Sequence, residues 1–293
     1  MREILDLEQR SIAWINSRKT SIGSSEVSSV LGTNPFKTRY ELWLEKTGRR
    51  SGQFTNAAMQ RGIDYEDEAR ACLEKQIGLI FTPKVFRRTD KTFLMASLDG
   101  ITEDGSTLCE IKCPSSGGLR DYALKGEAPP YYFSQMDYQM LVSGAREAVF
   151  FVWYSNEENY IVRITADESR QLEVETKVTE FWEKYIVTDT PPPLDKKDYF
   201  VLDNTAWVSD ASKYVDLKSR IKDLETQLKE VEDNLKRQFR LAGKSAVTGG
   251  GITVQEIERK GTVNVEAILS EYKIDAEKYR GKSTKYLKIG VKK

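Results

Sequence analysis

The stretch Ser97-Leu-Asp-Gly-Ile-Thr-Glu-Asp-Gly-Ser-Thr-Leu-Cys-Glu-Ile-Lys-Cys-Pro114 decides how the rest of the chain is read. It carries carboxylates at Asp99 and Glu110 and an amine at Lys112. Between the carboxylates, Thr102 to Ser106 has hairpin-turn composition. The flanks, FLMASLDG and STLCEIKCP, are short and apolar enough for half-buried strands. Asp99 then sits at the end of one strand, with Glu110 across the turn on the next. Because strand side chains alternate, Glu110 and Lys112 share a face and Ile111 turns toward the core.

That arrangement has a chemical use. Two carboxylates and the backbone carbonyl of Ile111 are hard oxygen donors, the kind Mg²⁺ or Mn²⁺ takes while keeping several waters. Lys112 reaches one such water, to deprotonate or orient it. Metal and amine together generate a nucleophile and stabilise charge on a phosphodiester. The plainer alternative is a hairpin with a surface salt bridge between Glu110 and Lys112, since this spacing also arises by chance.

Composition narrows the chemistry. With 45 basic and 45 acidic residues in 293, net charge is zero, so any nucleic acid must be held by local charge placement. Histidine is absent, which excludes His-based triads and HExxH zinc sites and leaves carboxylates, lysine and metal for hydrolysis. Cys72, Cys109 and Cys113 are odd in number and lack framework spacing. They read as reduced thiols of a cytoplasmic protein, Cys109 and Cys113 as buried fillers. The start, MREILDLEQRS, has no apolar signal region and no run approaches the length of a membrane span, so neither secretion nor insertion is expected.

In chain order, RSIAWINSRKTSIGSSEVSSVLG reads as a short helix through Trp14, a loop, and a second helix opening near Ser24 or Ser25 with Glu26 in its first turn. Capping is the simple purpose of those serines; an anion site beside Arg18, Lys19 and Thr20 is the other. YELWLEKTG is an amphipathic helix ended by Gly48, and Asn56 to Gly78 a long one. On the latter, Glu66 faces inward and needs Arg61, Arg70 or a metal as partner. TPKVFRRTDKTFLMASLDG supplies two strands. After Pro114 a flexible stretch precedes the helix YFSQMDYQMLVSG, where Tyr132, Gln135 and Gln139 form one polar stripe and Met136, Met140 and Leu141 the packing side. Such a stripe is ordinarily solvated; beside an active hairpin it orients a water instead. EAVFFVWYS and NYIVRITAD read as an antiparallel hairpin, and Asp167 to Tyr185 as an amphipathic helix before the linker VTDTPPPLDKKD. The sum is an α/β (α+β) core, helices around a mixed central sheet with the acids on its strands.

Five segments in order, Arg18-Lys-Thr-Ser-Ile-Gly-Ser-Ser25-Glu-Val, Gly62-Ile-Asp-Tyr-Glu66, Ser97-Leu-Asp99-Gly, Cys-Glu110-Ile-Lys112-Cys-Pro and Gln135-Met-Asp-Tyr-Gln-Met, resemble the lambda exonuclease family. These are the YqaJ-type viral recombinase nucleases of the PD-(D/E)xK phosphodiesterase superfamily. The resemblance implies a restriction-endonuclease-like fold. It implies that Asp99, Glu110 and the Ile111 carbonyl hold Mg²⁺, with Lys112 acting on the attacking water. Glu66 matches the helix-borne acid that helps hold metal-bound water, and Gln135 the glutamine beside the nucleophile, with Tyr132 a turn earlier. Arg18, Ser25 and Ser97 match positions that bind the terminal 5′-phosphate, Arg120 a further phosphate-binding arginine, and Trp14 an aromatic near the DNA entry. The implied activity is 5′-to-3′ digestion of double-stranded DNA ends, releasing 5′-mononucleotides and leaving 3′ single strands for an annealing recombination protein. Implied too are a ring-shaped homotrimer around the DNA and the cytoplasm of a bacterial host, the chain being a phage or prophage protein.

The expected organisation is a nuclease core over residues 1–190, a Pro-rich connecting segment over 191–208, a long heptad-patterned helix over 209–242 and a small basic β-containing extension over 243–293. Leu217, Ile221, Leu224, Leu228, Val231 and Leu235 recur in alternating steps of four and three with charges between. Such a seam packs on its own domain or makes a coiled coil. Gly249-Gly250-Gly251 reads as a hairpin turn. The last stretch carries Lys278, Arg280, Lys282, Lys285, Lys288, Lys292 and Lys293 with Tyr279 and Tyr286, either a solvated basic strand or a grip on DNA or a recombination partner. Two further functions stay open: an endonuclease or nickase of the same superfamily, which would not need the 5′-phosphate pocket, and a noncatalytic DNA-binding or assembly protein on a nuclease core.

Overall fold

The computed structural model describes residues 2–50, 57–258, 261–279 and 281. The chain divides into two compact units, residues 1–200 and 201–293. In the first, six strands form one sheet: β1 (Arg2–Leu5), β2 (Thr82–Arg88), β3 (Met95–Ile101), β4 (Thr107–Lys112), β5 (Glu147–Trp153) and β6 (Asn159–Thr165). They lie side by side in chain order. Every neighbouring pair is antiparallel except β4 and β5, which run parallel in register from Thr107↔Glu147 to Lys112↔Val152. The expected mixed sheet is therefore present, and β1 is a strand the sequence reading had passed over.

Helices cover both faces of the sheet. After α1 (Ile12–Lys19), one face carries α2 (Val27–Leu31), which follows a 3₁₀ turn at Ser24–Glu26, α3 (Arg39–Lys46), and two helices described below. α3 opens on a Thr38 capping box and stops at Gly48, whose φ of +71° suits a residue without a Cβ. On the opposite face lies α4 (Ala57–Ile77); the expected start at Asn56 lies outside the described residues. The parallel β4–β5 pair demands a crossover. It runs through α5 (Arg120–Ala123), a folded turn within the stretch expected to be flexible, and α6 (Pro130–Ser143). α7 (Glu168–Phe181) continues into a π-helical turn at Trp182–Val187.

The core is correspondingly double. Phe86, Ala96, Leu98, Leu108, Phe150 and Val152 pack with residues of α2, α3, α6 and α7. Cys109, Ile111, Cys113, Val149, Phe151 and Trp153 pack with Ala69 and Leu73 of α4. The alternation along β4 thus places Cys109, Ile111 and Cys113 on the α4 side, as expected of Ile111 and of the two buried thiols. Glu110 and Lys112 face α6. Glu110 is only 1% exposed, so its ion pair with Lys112 is not the surface salt bridge of the plainer reading.

The second unit contains α8 (Thr205–Ala242), capped by Asn204 and ended by Gly243, then a hairpin of β7 (Ala246–Gly249) and β8 (Ile252–Gln255), and α9 (Val265–Glu271). The hairpin turns through Gly250 and Gly251, both at positive φ (57° and 80°), the backbone of a type I′ turn. Of the basic stretch, Arg280, Lys282, Lys285, Tyr286, Lys288, Lys292 and Lys293 lie outside the described residues; Lys278 and Tyr279 belong to a 3₁₀ turn, Ala276–Tyr279.

Candidate active site

The site begins where β3 and β4 part. Their ladder holds only Gly100↔Cys109 and Ile101↔Leu108. Two residues further out, the Ile111 N–H donates to Asp99 Oδ2 at 2.8 Å. In a strand the N–H and C=O of one residue point to the same side, so the Ile111 carbonyl faces the opened gap beside Asp99. Gly100 makes the geometry possible. A Cβ there would lie 2.5 Å from Phe81 Cβ and 2.9 Å from Cys109 Sγ.

Glu110 receives three donors. Gln135 Nε2 reaches Oε1 at 2.7 Å and Gln139 Nε2 reaches Oε2 at 2.6 Å, while the Lys112 amine pairs with Oε1. Gln135 and Gln139 stand one turn apart on α6, both buried. Of the two readings of the glutamine stripe, the solvated one does not hold: its polar groups satisfy a carboxylate that the sheet buries. Gln139 also reaches Ser97 O at 3.3 Å. Tyr132, a turn before Gln135, offers its ring to the Lys112 amine at 5.0 Å.

The electrostatics follow from crowding acids in a dry place. Burial first, and then the charge of Glu110, push the Asp99 carboxyl well above the usual range, with Glu66 adding to the rise and Lys112 opposing it. For Lys112, burial works against its charge, but Glu110, Tyr132 and Asp99 outweigh it and hold the amine protonated. Surplus negative charge beside an open carbonyl suits a hard divalent cation. Asp99, Glu110 and the Ile111 carbonyl fit one, as two carboxylates and a neutral oxygen that leave room for water. Among the described residues, no group of three His, Cys, Asp or Glu side chains is close enough to hold a metal ion.

Glu66 lies near enough to Asp99 to influence it, but its carboxylate is engaged. Arg10 Nη2 approaches Oε2 at 2.8 Å and Arg70 Nη2 approaches Oε1 at 3.0 Å. Arg70 also donates through Nε to the Asp99 backbone carbonyl at 2.9 Å, tying α4 to β3. The other anticipated partner, Arg61, binds the carbonyls of Pro114 and Tyr154 instead.

A second cluster adjoins the first through β3. Ile22 bridges to Leu94, with the Tyr138 hydroxyl donating to the Ile22 carbonyl at 2.7 Å, and this stitches the Ser21–Gly23 backbone to the start of β3. Ser97, two residues before Asp99 and on the same face, accepts from Trp14 Nε1 at 2.7 Å. The Arg18 guanidinium stacks on Trp14 at 4.8 Å and donates to Ser25 Oγ at 3.2 Å. Behind it, Glu26 pairs with Arg18 at 3.0 Å and with the buried Lys46 at 2.7 Å, and accepts from Gly23 N–H. Burial alone would raise the Glu26 carboxyl; the charges of Lys46 and Arg18 overcome it and bring it down to about 2. Trp14, Arg18, Ser25 and Ser97 are thus in one place. Arg120 has other partners, Glu158 and the Tyr154 ring.

Several supporting residues escaped the sequence reading. Gln139 had a signal, its four-residue spacing from Gln135. Lys46 and Arg10 had none, because nothing local marks a lysine or arginine that pairs across the fold.

Residues 13–146 match the model of the YqaJ-like viral recombinase domain. Protein YqaJ of Bacillus subtilis (strain 168) is 27% identical over 187 residues, covering 62% of this chain and 58% of that protein. An African swine fever virus protein is 37% identical over 67 residues, 23% of this chain and 19% of that protein. The chain thus spans little more than half the length of the Bacillus relative. An alkaline exonuclease from Laribacter hongkongensis superimposes with a TM-score of 0.55 at 28% identity, covering 61% of this chain and 94% of that one. Its complex with dAMP gives the same TM-score at 26% identity and the same coverage. The first unit accordingly has the restriction-endonuclease-like fold. Asp99, Glu110, Lys112 and Gln135 stand together at the point where its central sheet opens.

Proposed function

We propose that this protein is a metal-dependent deoxyribonuclease that digests double-stranded DNA ends from 5′ to 3′. On this reading it releases 5′-mononucleotides and leaves 3′ single strands for a single-strand annealing recombination protein. The observation that carries the proposal is the buried Asp99–Glu110–Lys112 constellation, joined by Ser97 on β3 to the Trp14–Arg18–Ser25 cluster. Similarity to an alkaline exonuclease supports the same chemistry.

Asp99, Glu110 and the Ile111 carbonyl would hold Mg²⁺, or Mn²⁺ in its place. The ion would supply a Lewis acid for the scissile phosphate and an activated water. The remaining work falls to the chain's own groups. Lys112 presents a charged amine at the edge of the gap, where negative charge builds on the phosphate. Gln135 and Gln139 fix the Glu110 carboxylate in one orientation. Glu66, held by Arg10 and Arg70, stands behind Asp99 as the acid that orients water around the ion. Arg18, with Ser25 and Ser97, offers donors for a terminal 5′-phosphate, and Trp14 a ring beside it. Arg120 is the further phosphate contact. A homotrimeric ring around the duplex would let a chain without net charge stay on its substrate.

The test is a duplex labelled at one 5′ end, incubated with Mg²⁺ or EDTA, with products sized over time. Labelled mononucleotide appearing first, only with the ion, and faster from a 5′-phosphate than a 5′-hydroxyl end, is expected. Internal cuts at equal rates from both ends would indicate an endonuclease. A Lys112→Ala protein digesting at the wild-type rate would overturn the assigned chemistry.

A further inference from the structure

The heptad seam lies on α8, a 38-residue helix with no buried residue. At 1.5 Å per residue the helix is about 57 Å long. Leu217, Ile221, Leu224, Leu228 and Val231 are each between 46% and 62% exposed along it. They keep a strict 3.5-residue repeat from Leu217 to Leu235, narrower than the stripe by which a helix packs on a globular core. Around them the flanking positions are charged or polar: Lys213, Arg220, Gln227 and Asn234 on one side, Lys218, Glu225 and Glu232 on the other.

We propose that α8 pairs with α8 of a second copy of this chain as an antiparallel coiled coil. The seam is self-complementary in that orientation. Leu228 meets the second copy's Leu224, Ile221 its Val231 and Leu235 its Leu217, so every layer is apolar. Lys218 then lies opposite the second copy's Glu232, and by symmetry Glu232 opposite its Lys218. Within one helix Glu232 reaches Lys236 at 3.4 Å, an exposed pair easily exchanged for the one between copies. The single like-charge meeting is Glu225 with its own copy at the two-fold axis. A parallel pair would instead set Lys213 against Lys218 twice and Asp210 against Asp210, with only Arg220–Glu225 in compensation. Charge complementarity therefore selects an identical, antiparallel partner.

Sedimentation equilibrium of the full-length protein tests this. The wild-type particle should have twice the mass of a Leu224→Asp/Leu228→Asp variant, whatever association the first unit adds. Both substitutions fall on exposed positions, so the variant should keep its fold, checked by circular dichroism. Lys218→Glu alone should weaken pairing by on the order of tenfold, and adding Glu232→Lys should restore it. Glu225→Cys should cross-link to itself on oxidation and Ile221→Cys should not. Equal masses for wild type and the double Asp variant would overturn the dimer. Strengthening by Lys218→Glu, or cross-linking through Ile221→Cys, would overturn the antiparallel arrangement.

Discussion

Glu26→Gln replaces the carboxylate that anchors Arg18 with a neutral group of the same shape. Among the described residues the Lys46 amine pairs with this carboxylate and with the Arg18 carbonyl, and the Lys46 side chain is 4% exposed. A carboxyl brought from 4.5 down to about 2 on folding contributes about 3 kcal/mol at neutral pH. Breaking a buried ion pair from one side carries a similar penalty, about 3–5 kcal/mol. The sign follows from the direction of the shift. A depressed carboxyl stabilises fully above pH 4.5, and that contribution drains away as pH falls toward 2. Burial lowers the Lys46 pKa, which opposes the pair at neutral pH.

Urea unfolding of wild type and Glu26→Gln at pH 7, 4.5, 3 and 2, followed by near-ultraviolet circular dichroism, measures the difference. Glu26→Gln should be less stable by about 3 kcal/mol at pH 7, and the gap should close as pH approaches 2, where the wild-type carboxyl takes up its proton. Adding Lys46→Met should recover much of the loss, because no unpaired buried charge then remains. A gap below about 1 kcal/mol at pH 7, or one that does not change with pH, would refute the pairing as the source of the shift. In the digestion assay the variant should lose preference for 5′-phosphate over 5′-hydroxyl ends while Mg²⁺ dependence persists.

Gly100→Ala should cost about 1–3 kcal/mol, since its methyl would lie 2.5 Å from Phe81 Cβ and 2.9 Å from Cys109 Sγ, and the fall in melting temperature measures it. Gly118→Ala, with open space around it, is the matched control and should change little. Gln139→Leu should cost about 1–3 kcal/mol by leaving one Glu110 oxygen without its buried donor, and should lower kcat more than it raises KM. Trp14→Phe keeps the ring over which Arg18 stacks but drops the bond to Ser97; KM for duplex ends should rise with little change in kcat, read from initial rates.

How much of this was legible in the residues depended on the range of the interaction. The Asp99–Glu110–Lys112 hairpin was readable because turn composition and a two-residue alternation are local signals. The helices around Glu66 and Gln135, and the Gly-Gly turn in the second unit, were readable for the same reason. Burial was not. Nothing in Gln135-Met-Asp-Tyr-Gln139 says that its amides point at a carboxylate rather than at water; that depends on which sheet face α6 covers. Strand β1 was missed because four residues with two apolar positions carry no period to count. The engagement of Glu66 by Arg10 joins residues 56 apart in sequence, beyond any pattern.

A single topological event accounts for most of the site. Had β3 and β4 stayed paired two residues further, the Ile111 N–H would have met a backbone carbonyl instead of the Asp99 side chain. Stopping the ladder at Gly100↔Cys109 frees that N–H, turns the Ile111 carbonyl into the gap and aims Asp99 at the same spot. The absence of a side chain at Gly100 leaves room for Phe81 and Cys109 at the last ladder pair, and Arg70 takes up the Asp99 carbonyl just beyond it. Glu110 needs no such device, because the parallel pairing of β4 with β5 already fixes it under α6. The two acids are therefore held by different mechanisms, one by where a ladder ends and one by where a ladder continues. Substitutions at Gly100 or Arg70 should displace Asp99 while leaving the contacts of Glu110 with Gln135 and Gln139 in place.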